Sequence, residues 1–264
     1  MDATRVLIVN ADDFGLSPGV NQGVIRAFEE GILTSASLMV RWPAAGEAAR
    51  YAREHPRLGV GLHLDLGEWA FRGGEWVPLY EVVPGDDAGA ARAEVVRQLA
   101  AFRDLVGREP DHLDSHQHVH LRGPAAPPLA DAARALGVPL RHAAPGVRYC
   151  GDFYGQTADG SPLPGALAPE RLVAILRGLP PGVTELACHP GLPDGLDTMY
   201  RDEREVELRT LCDPRVRATV EAEEILLRTF GGISPARDLG GADGTPGPGG
   251  PVAQQVPEGR GPAR

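Results

Sequence analysis

Arg5–Val9 reads RVLIV, and no other segment restricts the fold of this chain so strongly. Four apolar residues follow one another without alternation, so neither face of such a strand meets water. A strand buried on both faces needs a layer on each side, and helical crossovers supply those layers. The next residues provide one. Ser17 and Pro18 offer an N-cap and a first-turn proline for a helix to about Glu30, and Gly31 stops it.

The same alternation continues. Ser35–Val40 reads as a strand, Ala44–Glu54 as a helix and Gly59–Leu66 as a third strand. The segment between Leu66 and Asp87 reads as a loop. Asp87–Val106 is amphipathic, with Val95, Leu99, Phe102 and Val106 on one stripe and Gly107 as its stop. A strand is expected over His112–His120, then a helix at Pro128–Leu136 and a strand at Val138–Arg141. Arg171–Gly178 is helical and Val183–Cys188 a strand, with late helices at Arg204–Cys212 and Ala218–Phe230. Strands alternating with helices imply an α/β protein with a parallel sheet covered on both faces, closed at this length into a (β/α) barrel. One catalytic domain is expected over residues 1–239. Beyond it, residues 240–264 are dominated by glycine and proline and are expected to be a disordered tail.

Composition removes several classes of function. The net charge of −10 argues against a nucleic-acid partner, which needs a concentrated basic surface. All 26 basic residues are arginine, which reads as genomic GC bias. Three cysteines with no CxxC spacing fit reduced thiols rather than a disulfide framework. No segment approaches the ~20 apolar residues of a membrane span, and the N-terminal apolar run is too short for a signal-peptide core. A cytoplasmic location is expected.

The chemistry concentrates in HLDSHQHVH, where His112, Asp114, His116, His118 and His120 occupy alternate positions. On an extended strand they share one face. Residue pairs two apart are separated by ~6.6–6.8 Å, so they cannot all reach one ion with ligands at ~2.0–2.3 Å. One or two would bind metal, and the others would support them or face substrate. Asn10-Ala11-Asp12-Asp13 closes the first strand, where parallel α/β folds build their sites. Adjacent carboxylates in a turn can divide metal binding from base chemistry, although either could instead cap the next helix. His63 in GLHLDL is a further ligand candidate or a satisfied core histidine. His189 closes the strand ELACHP. A carboxylate with two histidines and open positions suits a catalytic metal site, with a spare aspartate as base and a histidine as acid.

These motifs resemble the YdjC-like carbohydrate deacetylases, the family of chitooligosaccharide deacetylase and the hopanoid-biosynthesis HpnK proteins. The likeness rests on NADDFGLSPGVNQGVIRAFEEGILTSASLMV (Asn10–Val40), VGLHLDL (Val60–Leu66), DHLDSHQHVH (Asp111–His120) and LACHPG (Leu186–Gly191), and runs from about residue 4 to Leu239. The resemblance implies a distorted (β/α) barrel of the NodB-like polysaccharide deacetylase type. It implies that Asp13, His63 and His116 hold one divalent cation, magnesium or zinc. Asp12 would be the general base and His189 the general acid, with Arg141 orienting the base. The expected partner is an N-acetylated amino sugar or its conjugate; a homodimer is left open. The aromatics Trp69, Trp76 and Phe153 or Tyr154 could stack on a sugar face from the rim, or be ordinary loop packing. Hydrolysis of another amide or a phosphoester, or silent binding of metal or carbohydrate, are the competing readings.

Overall fold

The computed structural model describes residues 4–84 and 86–233. β1 (Arg5–Phe14), α1 (Pro18–Glu30), β2 (Ser35–Leu38), α2 (Ala45–Glu54) and β3 (Gly59–Leu64) alternate as the sequence requires. Then come β4 (Gly67–Arg72), β5 (Glu75–Glu81), α3 (Ala88–Val106) and a short β6 (Leu113–Ser115). The remainder comprises α4 (Ala126–Leu136), β7 (Val147–Cys150), α5 (Pro169–Arg177), β8 (Gly182–Cys188), α6 (Glu203–Leu211), α7 (Pro214–Ala222) and β9 (Leu226–Leu227).

Seven strands form one sheet in the order β6-β3-β2-β1-β8-β7, with β9 paired to the start of β1. Its pairings are all parallel. Curled, with helices packed on it, the sheet makes a distorted (β/α) barrel. β1 lies at its centre and is buried from Val6 to Phe14, as an unbroken apolar run demands. Helix ends follow the local chemistry. The Ser17 hydroxyl accepts from the Val20 amide at 3.1 Å, and Asp87 accepts from the Ala90 amide at 2.8 Å. Gly107 ends α3 in the left-handed conformation at φ 78°. The stripe Val95, Leu99, Phe102 and Val106 is buried as expected.

Four expectations are corrected. The strand over the histidine run stops at Ser115, because Gln117 and His118 turn left-handed at φ 48° and 53° and wind the chain into a short 3₁₀ turn. Val138–Arg141 contributes one parallel bridge, Leu113 to Leu140, rather than a strand. Pro139 has no amide to donate, and a turn follows in which Ala143 donates to the Leu140 carbonyl at 2.9 Å. The segment after Leu66 is an antiparallel hairpin of β4 and β5 around Gly73-Gly74, both at positive φ. The last helix starts earlier, at an Asp213-Pro214 cap, and ends at Ala222. Glu224 then reverses the chain at φ 51° and sends it into β9. The tail expected at 240–264 lies outside the described residues.

Candidate active site

A bulge in β1 builds the site. Ala11 pairs with Ala36 and Phe14 with Leu38, so β1 takes three steps where β2 takes two. Asp13 absorbs the extra residue at φ 66°, a left-handed conformation that few side chains other than Asp and Asn tolerate. Bulges re-aim side chains, and here two adjacent carboxylates acquire different partners. Neither caps α1, which Ser17 does.

Asp13 gathers the first group. Its Oδ1 lies 3.0 Å from His116 Nδ1 and 3.3 Å from His63 Nε2. Its Oδ2 accepts from Arg204 Nη2 at 2.6 Å. His63 comes from β3, and its Nδ1 meets Asp114 Oδ1 on β6 at 2.7 Å. That contact takes one ring nitrogen and leaves Nε2 for Asp13. Burial pushes the Asp13 carboxyl up, but the Arg204 and His116 charges outweigh it and hold the acid well below its ordinary value. Burial pulls His63 down, yet the Asp114 and Asp12 carboxylates raise it to about 9. His116 is likewise pulled down by burial, and Asp13 and Glu68 lift it well above the ordinary histidine value.

These residues fit a divalent cation. Two donors each ~2.0–2.2 Å from one ion lie at most about 4.4 Å apart, and the 3.0 and 3.3 Å separations fall inside that limit. One carboxylate with two imidazoles leaves positions open, as catalytic sites require. His116 also keeps Nε2 buried without a hydrogen-bond partner, 3.8 Å from Glu68 Oε2. Asp12, His63 and Asp114 form a second cluster with metal-ligand spacing. Its charge is already met, because Arg141 binds both of its aspartates.

Arg141 is fully buried and surrounded by acids. Its Nη1 and Nη2 donate to the two oxygens of Asp12 at 2.6 and 2.7 Å, Nη2 lies 2.9 Å from Asp114 Oδ2, and Nε donates to Glu185 at 2.7 Å. A buried guanidinium needs such partners, and this set fixes the Asp12 plane. Asn10 Nδ2 adds a third donor to Asp12 at 3.0 Å. His189, at the end of β8, places Nε2 3.8 Å from Asp12 Oδ2. Its amide donates to Glu207 Oε2 at 2.5 Å, and the Tyr200 hydroxyl donates to the other oxygen of that carboxylate.

All six residues singled out in the sequence thus converge: Asp12, Asp13, His63, His116, Arg141 and His189. His118 and His120 do not join the Asp13 group. They gather with His142 and Tyr149, where His120 Nε2 donates to the Arg141 carbonyl at 3.2 Å. His112 stacks on Phe230 and bonds Ser37. Of the rim aromatics, Phe153 is buried in the core. Tyr154 stacks on Tyr200 and meets His189 edge-on. Trp69 is held through its backbone by Gln117, and Trp76 packs on Phe71. Sequence reasoning did not single out Arg204, Glu207 or Glu68. Arg204 and Glu207 stand three apart on one face of α6, a pattern that also describes an ordinary solvated helix.

The model of the YdjC-like protein family matches residues 6–222. A carbohydrate deacetylase of Geobacillus stearothermophilus is 35% identical over 247 residues, covering 86% of this chain and 97% of that protein. A chitooligosaccharide deacetylase of Serratia marcescens is 34% identical, covering 86% and 98%. Among solved structures, a candidate cellobiose-phosphate cleavage protein from Enterococcus faecalis V583 superposes with a TM-score of 0.68 at 24% identity, covering 86% of this chain and 98% of that one. A family 4 carbohydrate esterase from Streptomyces lividans superposes with a TM-score of 0.53 at 14% identity, covering 89% and 96%.

Proposed function

The chain belongs to the YdjC-like family, and from that premise we propose that it is a metal-dependent hydrolase removing acetyl from an N-acetylated sugar. One observation carries the reading. Asp13, His63 and His116 converge at metal-ligand spacing beside an Asp12 that is clamped by Arg141 and faced by His189. A catalytically silent binder has no use for that second set. The names of the two deacetylase relatives support the same activity.

Asp13, His63 and His116 would hold the ion. A divalent cation bound there supplies Lewis acidity for the acyl carbonyl and for water. Asp12 takes the proton of the attacking water as its carboxylate is held in plane by Arg141. His189, whose Nε2 lies 3.8 Å from Asp12 Oδ2, gives a proton to the departing amine. Glu207 fixes the backbone of His189 and lies 3.7 Å from its Nδ1. The products are acetate and the free amino sugar. His116 and His189 show the largest side-chain exposures among the six convergent residues, 9% and 10%, so substrate approaches on their side.

Acetate release from N-acetylglucosamine oligomers and from monosaccharide conjugates, with Mg²⁺ or Zn²⁺ added to metal-stripped protein, tests the reading. Metal-dependent release is expected. No release from any acetylated amino sugar, with metal bound, would sink it.

A further inference from the structure

Arg204 stands outside every motif that carries the family likeness, yet it makes the shortest contact to Asp13. It projects from α6, is 5% exposed, and its Nη2 lies 2.6 Å from Asp13 Oδ2. Nε donates to the Tyr200 carbonyl at 2.8 Å, whereas Nη1 is buried without a hydrogen-bond partner. A guanidinium buried only to satisfy itself would have all its donors paired. This one leaves a donor unpaired while meeting a single oxygen of the Asp13 carboxylate. The other oxygen, Oδ1, faces His63 and His116.

That division has a consequence for an ion at the site. Oδ2 is taken, so Asp13 offers one oxygen and not two. A fixed positive charge also sits one carboxylate away from the place where a second cation would bind, in an interior where charges interact strongly. We propose that Arg204 is a positioning residue that restricts Asp13 to one-oxygen coordination and holds down the affinity of the site for a divalent cation. This rests on the metal reading above. Weaker protein donation leaves the ion more electron-poor and its remaining positions open.

Zn²⁺ alone, titrated into metal-stripped protein against a chromophoric chelator, reads the affinity without reference to turnover. Arg204→Gln removes the charge and the guanidinium that holds Oδ2, and is expected to bind Zn²⁺ at least ~10-fold tighter. Arg204→Lys keeps the charge and is expected to stay close to the unsubstituted protein. A purely structural arginine gives the opposite result, since its loss loosens the donors and weakens binding. Unchanged or weaker Zn²⁺ binding by a folded Arg204→Gln protein, with an unaltered circular dichroism spectrum, overturns the proposal. If Arg204→Gln does not fold, a tenfold change in Arg204→Lys overturns it equally, because the charge is preserved there. Asp13→Ala serves as the control. Zn²⁺ affinity that survives that substitution defeats the metal reading itself, a different result from failure at Arg204.

Discussion

Asp114 Oδ1 stands 2.7 Å from His63 Nδ1, at the step where β3 and β6 pair these two residues directly. The sheet register therefore sets which nitrogen of His63 is free. The other oxygen of Asp114 accepts from the Ser37 hydroxyl at 2.7 Å and lies 2.9 Å from Arg141 Nη2. Asp114→Asn keeps the shape and removes the charge that holds the ring. It is expected to lower divalent-metal affinity ~10–100-fold, measured by chelator competition. Unchanged affinity would mean that His63 is not a ligand.

The bulge in β1 gives Asp12 and Asp13 separate environments, so their substitutions should separate too. Asp13→Ala is expected to lose bound metal and activity together. Asp12→Asn is expected to keep its metal, by elemental analysis, and to lose at least ~100-fold in turnover. Near-normal turnover in a metal-loaded Asp12→Asn protein would assign the base to another residue.

The barrel was legible because burial leaves a mark in sequence. RVLIV is apolar on both faces and lies at the centre of the sheet. Asp12, Asp13, His63, His116 and His189 were legible because each lies at or near a strand end, in a motif with a recognisable likeness. Arg141 lies outside those motifs and beyond any strand, and was legible only as a position that the resemblance matches. What could not be read depends on contacts distant in sequence or on backbone that leaves no trace. Gln117 and His118 turn left-handed without a glycine to announce it, so the histidine run looked like one continuous strand. Arg204 and Glu207 belong to EREVELRTL, whose charges suggest a solvated helix. Only the packing of α6 against the site buries them. The β4–β5 hairpin did carry a signal, the Gly73-Gly74 pair between alternating segments, and reading those residues as a loop overlooked it.

Gln117 ties that hairpin to the site. Its Oε1 accepts from the Trp69 amide at 3.0 Å and its Nε2 donates to the Trp69 carbonyl at 2.8 Å. Gln117→Ala removes both bonds, worth about 1–3 kcal/mol together. Hydrogen exchange at the Trp69 amide is expected to quicken while metal affinity holds. Exchange as slow as before would show that contacts of the hairpin with Asp197 and Thr198 hold it without Gln117.

Acid should unfold the protein in part through His120. Its Nε2 donates to the Arg141 carbonyl at 3.2 Å, so Nδ1 accepts from the Ser115 hydroxyl at 2.6 Å. A second proton would remove that acceptor. Burial first, then Arg141 and His142 against an opposing Asp114, lowers the ring from 6.5 to about 4. The folded pKa lies below the unfolded one, so between them the unfolded chain binds more protons and stability rises with pH. The contribution is complete above about pH 6.5 and disappears as pH falls through about 4, at most about 3 kcal/mol. His118, buried and lowered in the same sense, steepens the loss. His120→Gln keeps a side-chain hydrogen-bonding group without a titrating proton. In urea titrations of metal-free protein from pH 4 to 7, the variant is expected to show a shallower dependence of unfolding free energy on pH, whatever its absolute stability. A slope equal to that of the unsubstituted protein would place the acid sensitivity on other groups.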